Sequence, residues 1–284
     1  MRKILLKVFL VFISANINAY DVPIVTTPSS DDPRSFLFIG NSFMYYNNSM
    51  HKPLLGIHDS IKANTINIKA RTFYINGSAL SWHDVESYVK NPNAGAFKFN
   101  SQNKIVPFKD RRYDIAIMQD CSQCPIHPEL SSDFHKYVKK HAQTLKAHNI
   151  EPVLMMTWAY KSQPSMIEAI AREYTIAGNE NKLLIIPAGL AFSRSIQLHP
   201  EIELYADDKH PSREGTYLAA ATIYASIFQK SPVDNTYEYG IEPEVRKKLQ
   251  RIAWETYLEY YHKKWVEFNF NRVTWYKIEF HRKQ

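Results

Sequence analysis

Five short apolar runs, spaced by stretches with helical periodicity, limit this chain to a small set of folds. They cover residues 35–40 (SFLFIG), 65–75, 114–118 (DIAIM), 152–157 (PVLMMT) and 182–187 (KLLIIP). Near-continuous apolar runs of this length suit strands covered on both faces, as in a parallel sheet. The run at 65–75 alternates, is rich in β-branched residues and ends at Asn76-Gly77, as a strand entering a turn does. Helices are expected at about 49–62, 131–148, 164–177 and 212–229. The second of these places Phe134, Val138, Ala142 and Leu145 on one face, and the third carries Pro164 in its first turn. Strands alternating with helices read as βαβ units. The expectation is a three-layer α/β/α sandwich, flavodoxin-like, on a parallel sheet of about five strands. In such sheets the site lies beyond the carboxyl ends of the strands.

The chain has 284 residues, enough for one large domain with a full core. Its N-terminus reads as a secretory signal peptide over 1–19. Arg2 and Lys3 make a basic start, Ile4 to Ile13 is apolar apart from Lys7, and a short polar stretch ends at Ala19. A retained membrane anchor is the alternative, although the apolar run is short for a bilayer. Cleavage would place the protein outside the cytoplasm, secreted or periplasmic. It would also lower the net charge from +7 to +4, because three basic residues leave. Residues 245–284 hold ten Lys/Arg and four Glu, so the rest of the mature chain sits near −2. A nearly neutral body argues against a nucleic-acid groove.

The domain is expected over 20–235, and 236–284 as a C-terminal amphipathic helix (243–264) with a basic, aromatic tail. The tail holds Trp254, Tyr257, Tyr260, Tyr261, Trp265, Trp275 and Tyr276 among its cations. Such a segment either packs on the domain with a solvated basic face, or makes peripheral contact with an anionic membrane or polysaccharide. The two cysteines, Cys121 and Cys124, stand three apart. In an exported chain that spacing suits a local disulfide; free thiols and a redox pair remain alternatives. Zinc would need more ligands than His127 alone adds.

The polar signatures sit where the strands end. The first gives Gly40-Asn41-Ser42, the second Asn76-Gly77-Ser78, the third Gln119-Asp120. Far downstream comes Asp207-Asp208-Lys209-His210-Pro211-Ser212, just before a helix. A hydrolytic serine needs exposure, a base, a group that orients the base, and donors for the oxyanion. A serine directly after a buried strand meets the first need. A glycine at the next strand's end lets backbone N–H groups approach, and an amide side chain can donate as well. Taken singly each motif is weak, since turns and helix caps abound in Gly, Asn, Ser and Asp.

Together, IGNSF (39–43), INGSAL (75–80) and DDKHPSREGTYLAA (207–220) resemble the blocks of the SGNH (GDSL-like) hydrolase family. The resemblance spans roughly residues 35–230. It implies Ser42 as nucleophile, with Asp207 and His210 completing a triad. Ser42, Gly77 and Gln119 would supply the oxyanion donors, and no cofactor or metal is implied. Two positions depart from the family pattern: Asn41 replaces the Asp of GDS, and Gln119 stands where an Asn is usual. Asn41, Trp82 and Trp158 are expected to line the pocket, with His83 and Asp84 near it. Asp208 is expected to be a solvated turn carboxylate. The function implied is an exported serine esterase acting on small-molecule or glycan esters, O-acetyl groups among them. The rival is a catalytically silent glycan-binding or envelope-surface module.

Overall fold

The computed structural model describes residues 22–61, 67–90, 97–107 and 113–262. The expected signal peptide and the tail beyond 262 lie outside them. In chain order the strands and helices are β1 (Ser35–Gly40), α1 (Ser42–Tyr45), α2 (His51–Asp59), β2 (Lys69–Tyr74), α3 (Val85–Lys90), β3 (Phe97–Phe99), β4 (Ile105–Pro107), β5 (Ile115–Met118), α4 (Ser131–Ala147), β6 (Glu151–Met155), α5 (Met166–Asn181), β7 (Leu184–Ile186), α6 (Ala188–Leu198), α7 (Arg213–Phe228) and α8 (Pro243–His262).

Five strands form one parallel sheet in the order β2-β1-β5-β6-β7. This is the flavodoxin-like order, with its switch point between β1 and β5. Phe36 to Ile39 and Ile115 to Met118 are fully buried, as strands covered on both faces must be. The register sets Gly40 beside Tyr74 and Ile39 beside Met118. Residues 41, 75 and 119 therefore leave the sheet at one level. The Ile75 N–H still donates to the Gly40 carbonyl (3.1 Å) and the Gln119 N–H to the Ile39 carbonyl (3.0 Å).

The four expected helices form as α2, α4, α5 and α7, and the structure adds elements between them. The helix expected at about 49–62 is α2, over His51–Asp59. The short helix α1 is joined to it through Asn47, Asn48 and Ser49, all at positive φ. The second strand begins at Lys69. A small helix α3 and a hairpin β3–β4 fill the stretch before β5, and α6 follows β7 directly.

The C-terminal helix expected at 243–264 forms as α8 and packs on the domain, one of the two arrangements that the sequence left open. Helix α7 is buried on every side from Gly215 to Ile227, so it needs cover away from the sheet as well as on it. Helix α8 packs against it. Leu249, Ile252, Ala253, Tyr257, Tyr260 and Tyr261 of α8 are all core residues. Gln250 donates to the Tyr217 hydroxyl at 2.8 Å, and the Tyr261 hydroxyl donates to the Ile185 carbonyl. Arg194 of α6 pairs with Glu255 and Glu259 (2.7 and 2.6 Å). Lys247 and Lys248 are paired with Glu244 and Glu201, which offsets part of the basic charge seen in the sequence.

Candidate active site

The site forms at the carboxyl ends of β1, β2 and β5, closed from one side by the loop before α7. Glycine at position 40 leaves room for two neighbouring side chains. A Cβ there would lie 2.8 Å from the Met44 Sδ and 2.9 Å from the Gln119 Oε1, too close for either. Asn41 caps α1: its Oδ1 accepts the Phe43 N–H at 3.1 Å. Ser42 is the first residue of that helix, only 6% exposed. Its N–H has no hydrogen-bond partner among the described residues.

The Asn76-Gly77 turn after β2 is closed by the Ser78 N–H donating to the Ile75 carbonyl (3.2 Å). Gly77 takes φ +66°, a conformation that favours glycine, and nothing lies within 4 Å of where a Cβ would be. The turn is tied to α1 on both sides of Ser42. Asn41 Nδ2 donates to the Ser78 carbonyl at 2.8 Å, and the Tyr45 hydroxyl donates to Asn76 Oδ1 at 3.0 Å.

Ser42 Oγ lies 2.9 Å from His210 Nε2, and His210 Nδ1 lies 2.7 Å from Asp207 Oδ2. Asp207 Oδ1 accepts the backbone N–H groups of Lys209 and His210 at 2.8 and 2.7 Å. Partial burial pushes the Asp207 carboxyl up. Hydrogen bonds from the His210 N–H, the His210 ring and the Lys209 N–H outweigh it and hold the group at about 2. Asp207 therefore stays an anion through the mildly acid range. A serine, a histidine and a carboxylate in one hydrogen-bonded chain can move a proton off the hydroxyl and stabilise the resulting cation.

The loop carrying Asp207 and His210 is held by several separate contacts. The Trp158 Nε1–H donates to the Lys209 carbonyl (2.9 Å), and the Lys161 N–H to the Asp208 carbonyl (2.7 Å). Asp208 is an exposed carboxylate in the turn, as expected, and it also accepts the Ser162 N–H and hydroxyl at 2.8 and 3.0 Å. Ser212 caps α7 through the Gly215 N–H and also donates to the Glu203 carbonyl. From the nucleophile's side, Tyr46 stacks flat on the His210 ring, 4.2 Å away and 3° from parallel. The three left-handed residues that follow turn the chain back, and Asn47 Nδ2 reaches the Pro211 carbonyl at 2.8 Å. The sequence offered no sign of Tyr46 beyond its nearness to Ser42.

Several expected site residues have other tasks. Both Gln119 Nε2 protons are engaged, one by Asn41 Oδ1 (3.0 Å) and one by the Asp120 carbonyl. Both partners are acceptors, which fixes the amide's orientation. Gln119 is 1% exposed and offers no donor to an oxyanion, contrary to the expectation. Asn41 is buried too, its amide engaged by Phe43, Gln119, Ser78 and Asp120. Trp158 is fully buried, stacked between Phe43 and Phe192 (4.8 and 4.2 Å), so it supports the site from below. His83 is buried, with Nε2 on the Ser78 hydroxyl at 3.0 Å; burial, with a contribution from His141, lowers it to about 4. Asp120 accepts the Leu80 and Cys121 N–H groups (2.8 and 2.7 Å). Trp82 alone among the expected aromatics is open to solvent, 63% exposed just after the Gly77 turn.

Cys121 and Cys124 form a disulfide with Cα atoms 5.2 Å apart. An Asp120 oxygen lies within 4.8 Å of both sulfurs, but sulfurs bonded to each other are not thiolates and bind no metal as such.

No protein-family model matches the sequence, and neither does any curated protein. Solved structures do match. A DUF4886 family protein from Bacteroides uniformis is 21% identical, covering 80% of this chain and 95% of its own, with a TM-score of 0.57. A protein classed as an SGNH hydrolase from Slackia heliotrinireducens is 19% identical over 69% of this chain and 99% of its own, with a TM-score of 0.52. The chain has the SGNH hydrolase fold. An acetyl-xylooligosaccharide esterase from Geobacillus stearothermophilus shares it at 13% identity, over 69% of this chain and 96% of its own, with a TM-score of 0.50. On the SGNH fold, the Ser42, Gly77 and Asp207–His210 segments fall together at one end of the sheet, as their strand-end positions required.

Proposed function

We propose that this protein is an exported serine esterase. The observation that carries the reading is the unbroken chain from Ser42 Oγ to His210 to Asp207, at 2.9 and 2.7 Å. His210 Nε2 takes the Ser42 proton as Oγ bonds to the ester carbonyl carbon. The carbonyl oxygen gains the negative charge and is met by the N–H groups of Ser42 and Gly77. Collapse of the tetrahedral intermediate breaks the ester bond, and the departing alkoxide takes the proton from Nε2. Water then attacks the acyl-enzyme by the same relay, releasing a carboxylic acid and restoring Ser42. Asp207 holds the imidazole's tautomer and stabilises its cation.

Acetyl groups on carbohydrate hydroxyls are the substrate class we favour. The acetyl-xylooligosaccharide esterase of the same fold supports it, and the exposed Trp82 is an aromatic face suited to a sugar ring. The basic, apolar N-terminus and the Cys121–Cys124 disulfide support export to an oxidising compartment.

The test compares residues 20–284 with the Ser42→Ala variant on p-nitrophenyl acetate, alongside labelling by a fluorophosphonate probe. Turnover and labelling in the wild type, both absent in the variant, are expected. Activity that survives in Ser42→Ala would move the chemistry to another group and end the assignment.

A further inference from the structure

The oxyanion donors of the proposed esterase come from two different strands, and something must hold them in register. Ser42 follows β1 and Gly77 follows β2. Two side chains bridge the segments: Tyr45, at the exposed rim through Asn76, and Asn41, buried beside Ser42. Asn41 Oδ1 accepts the Phe43 N–H (3.1 Å) and a Gln119 Nε2 proton (3.0 Å). Its Nδ2 donates to the Ser78 carbonyl (2.8 Å) and to the Asp120 carbonyl (3.3 Å). The amide thus uses two acceptor and two donor directions, its full capacity. It does so at 3% exposure, where no water replaces a lost partner.

We infer that Asn41 is a positioning residue that sets the Ser42 and Gly77 N–H groups against one another, and that its amide cannot be replaced by a carboxylate. The role rests on the esterase reading above. The Oδ1 cap fixes the peptide between Asn41 and Ser42, and so the direction of the Ser42 N–H. The Nδ2 bond to the Ser78 carbonyl pins the turn that presents the Gly77 N–H. Gln119 is the second tier: it holds the Asn41 oxygen and the Asp120 carbonyl from behind, and Gly40 leaves room for it. The Gln119 amide is thereby turned to Asn41 and away from the substrate. An aspartate at this position would keep the cap but face two carbonyl oxygens with no proton to give, in a site shut off from water. The Asp that the GDS pattern calls for is thus the wrong residue here.

Two variants separate capping from bridging. Asn41→Ser keeps a good N-cap oxygen and loses both donations; Asn41→Asp keeps the cap and adds repulsion. Each is measured for melting temperature, for kcat and KM on p-nitrophenyl acetate, and for inhibition by a phenylboronic acid, which forms a tetrahedral adduct on the serine. In Asn41→Ser, kcat is expected to fall about tenfold to a hundredfold at nearly constant KM. The boronate Ki should rise by a similar factor, because both report on tetrahedral geometry. Asn41→Asp should be at least as impaired. Loss of stability alone would lower the active fraction and leave KM and Ki unmoved. An active wild type with Asn41→Ser at wild-type kcat and Ki overturns the positioning role and leaves the esterase standing. A wild type inert to ester and probe overturns the esterase reading, and the role of Asn41 with it.

Discussion

Asp120 is a carboxyl kept where water does not reach it. Desolvation raises its pKa to about 6, against two N–H hydrogen bonds that pull it down. The unfolded carboxyl titrates near 3.9, so the folded protein holds the proton more tightly than the unfolded chain does. Stability conferred by the protonated form is therefore lost as pH rises from about 4 to about 6 and stays lost above. A shift of this size corresponds to roughly 3 kcal/mol at neutral pH. Both N–H bonds end on Oδ1, and an asparagine oxygen can accept them without a charge. Asp120→Asn should accordingly melt a few degrees above wild type at pH 7.5, with the gap closing by pH 4. Thermal melts at the two pH values decide it; a gap independent of pH would mean that Asp120 is not a desolvated anion. Asp207 behaves oppositely. Its depressed pKa keeps it charged until about pH 2, so an acid limb in the rate well above that pH belongs to another group.

Among the elements, the loop from Glu203 to Ser212 decides whether a triad exists, and it has no regular structure of its own. It is fixed by an isolated bridge between Tyr205 and Pro211, by the cap on α7, and by Trp158 on the Lys209 carbonyl. Trp158→Phe would keep the stack between Phe43 and Phe192 and remove only that hydrogen bond. The expected result is a loss of about 1 kcal/mol in stability and a several-fold drop in kcat. A kcat unchanged beside the lowered melting temperature would show that the bond serves the fold and not the site. This loop also shows what the sequence could carry. Asp207 and His210 were legible because a three-residue offset brings carboxylate and imidazole together locally, and Ser42 because it directly follows a buried strand. Gln119 and Asn41 were legible as polar strand-end residues. The direction of their amides was not, since it depends on the register between β1, β2 and β5. Trp158 was equally hidden, because a tryptophan at a strand end can face the pocket or the core. Helix α6 was missed since it starts two residues after β7 with no polar turn to mark it. The link between α1 and α2 at Asn47–Ser49 lies in three left-handed residues that no periodicity announces.

At the scale of the molecule, the question is where the domain ends. Charge drew the boundary at 235, because ten of the basic residues lie beyond residue 244. Packing draws it later. Helix α7 has no polar face: its residues from Gly215 to Ile227 are all buried, so it cannot be the outermost layer of a protein in water. The lone apolar helix in the sequence was a sign that a later segment must cover it, and α8 does. Six of its side chains are core residues. At roughly 1.5–3 kcal/mol for each large buried side chain, their removal approaches the 5–15 kcal/mol that holds a typical domain together. A chain ending at 242 should therefore be insoluble or molten, while one ending at 262 keeps every α8 contact described above. Expression of the two, read by circular dichroism and turnover of p-nitrophenyl acetate, separates the views. Cooperative melting and wild-type kcat in the shorter chain would make α8 an accessory. The expected outcome, loss at 242 and retention at 262, makes α8 an integral element of the fold and moves the required boundary of the domain from 235 to 262.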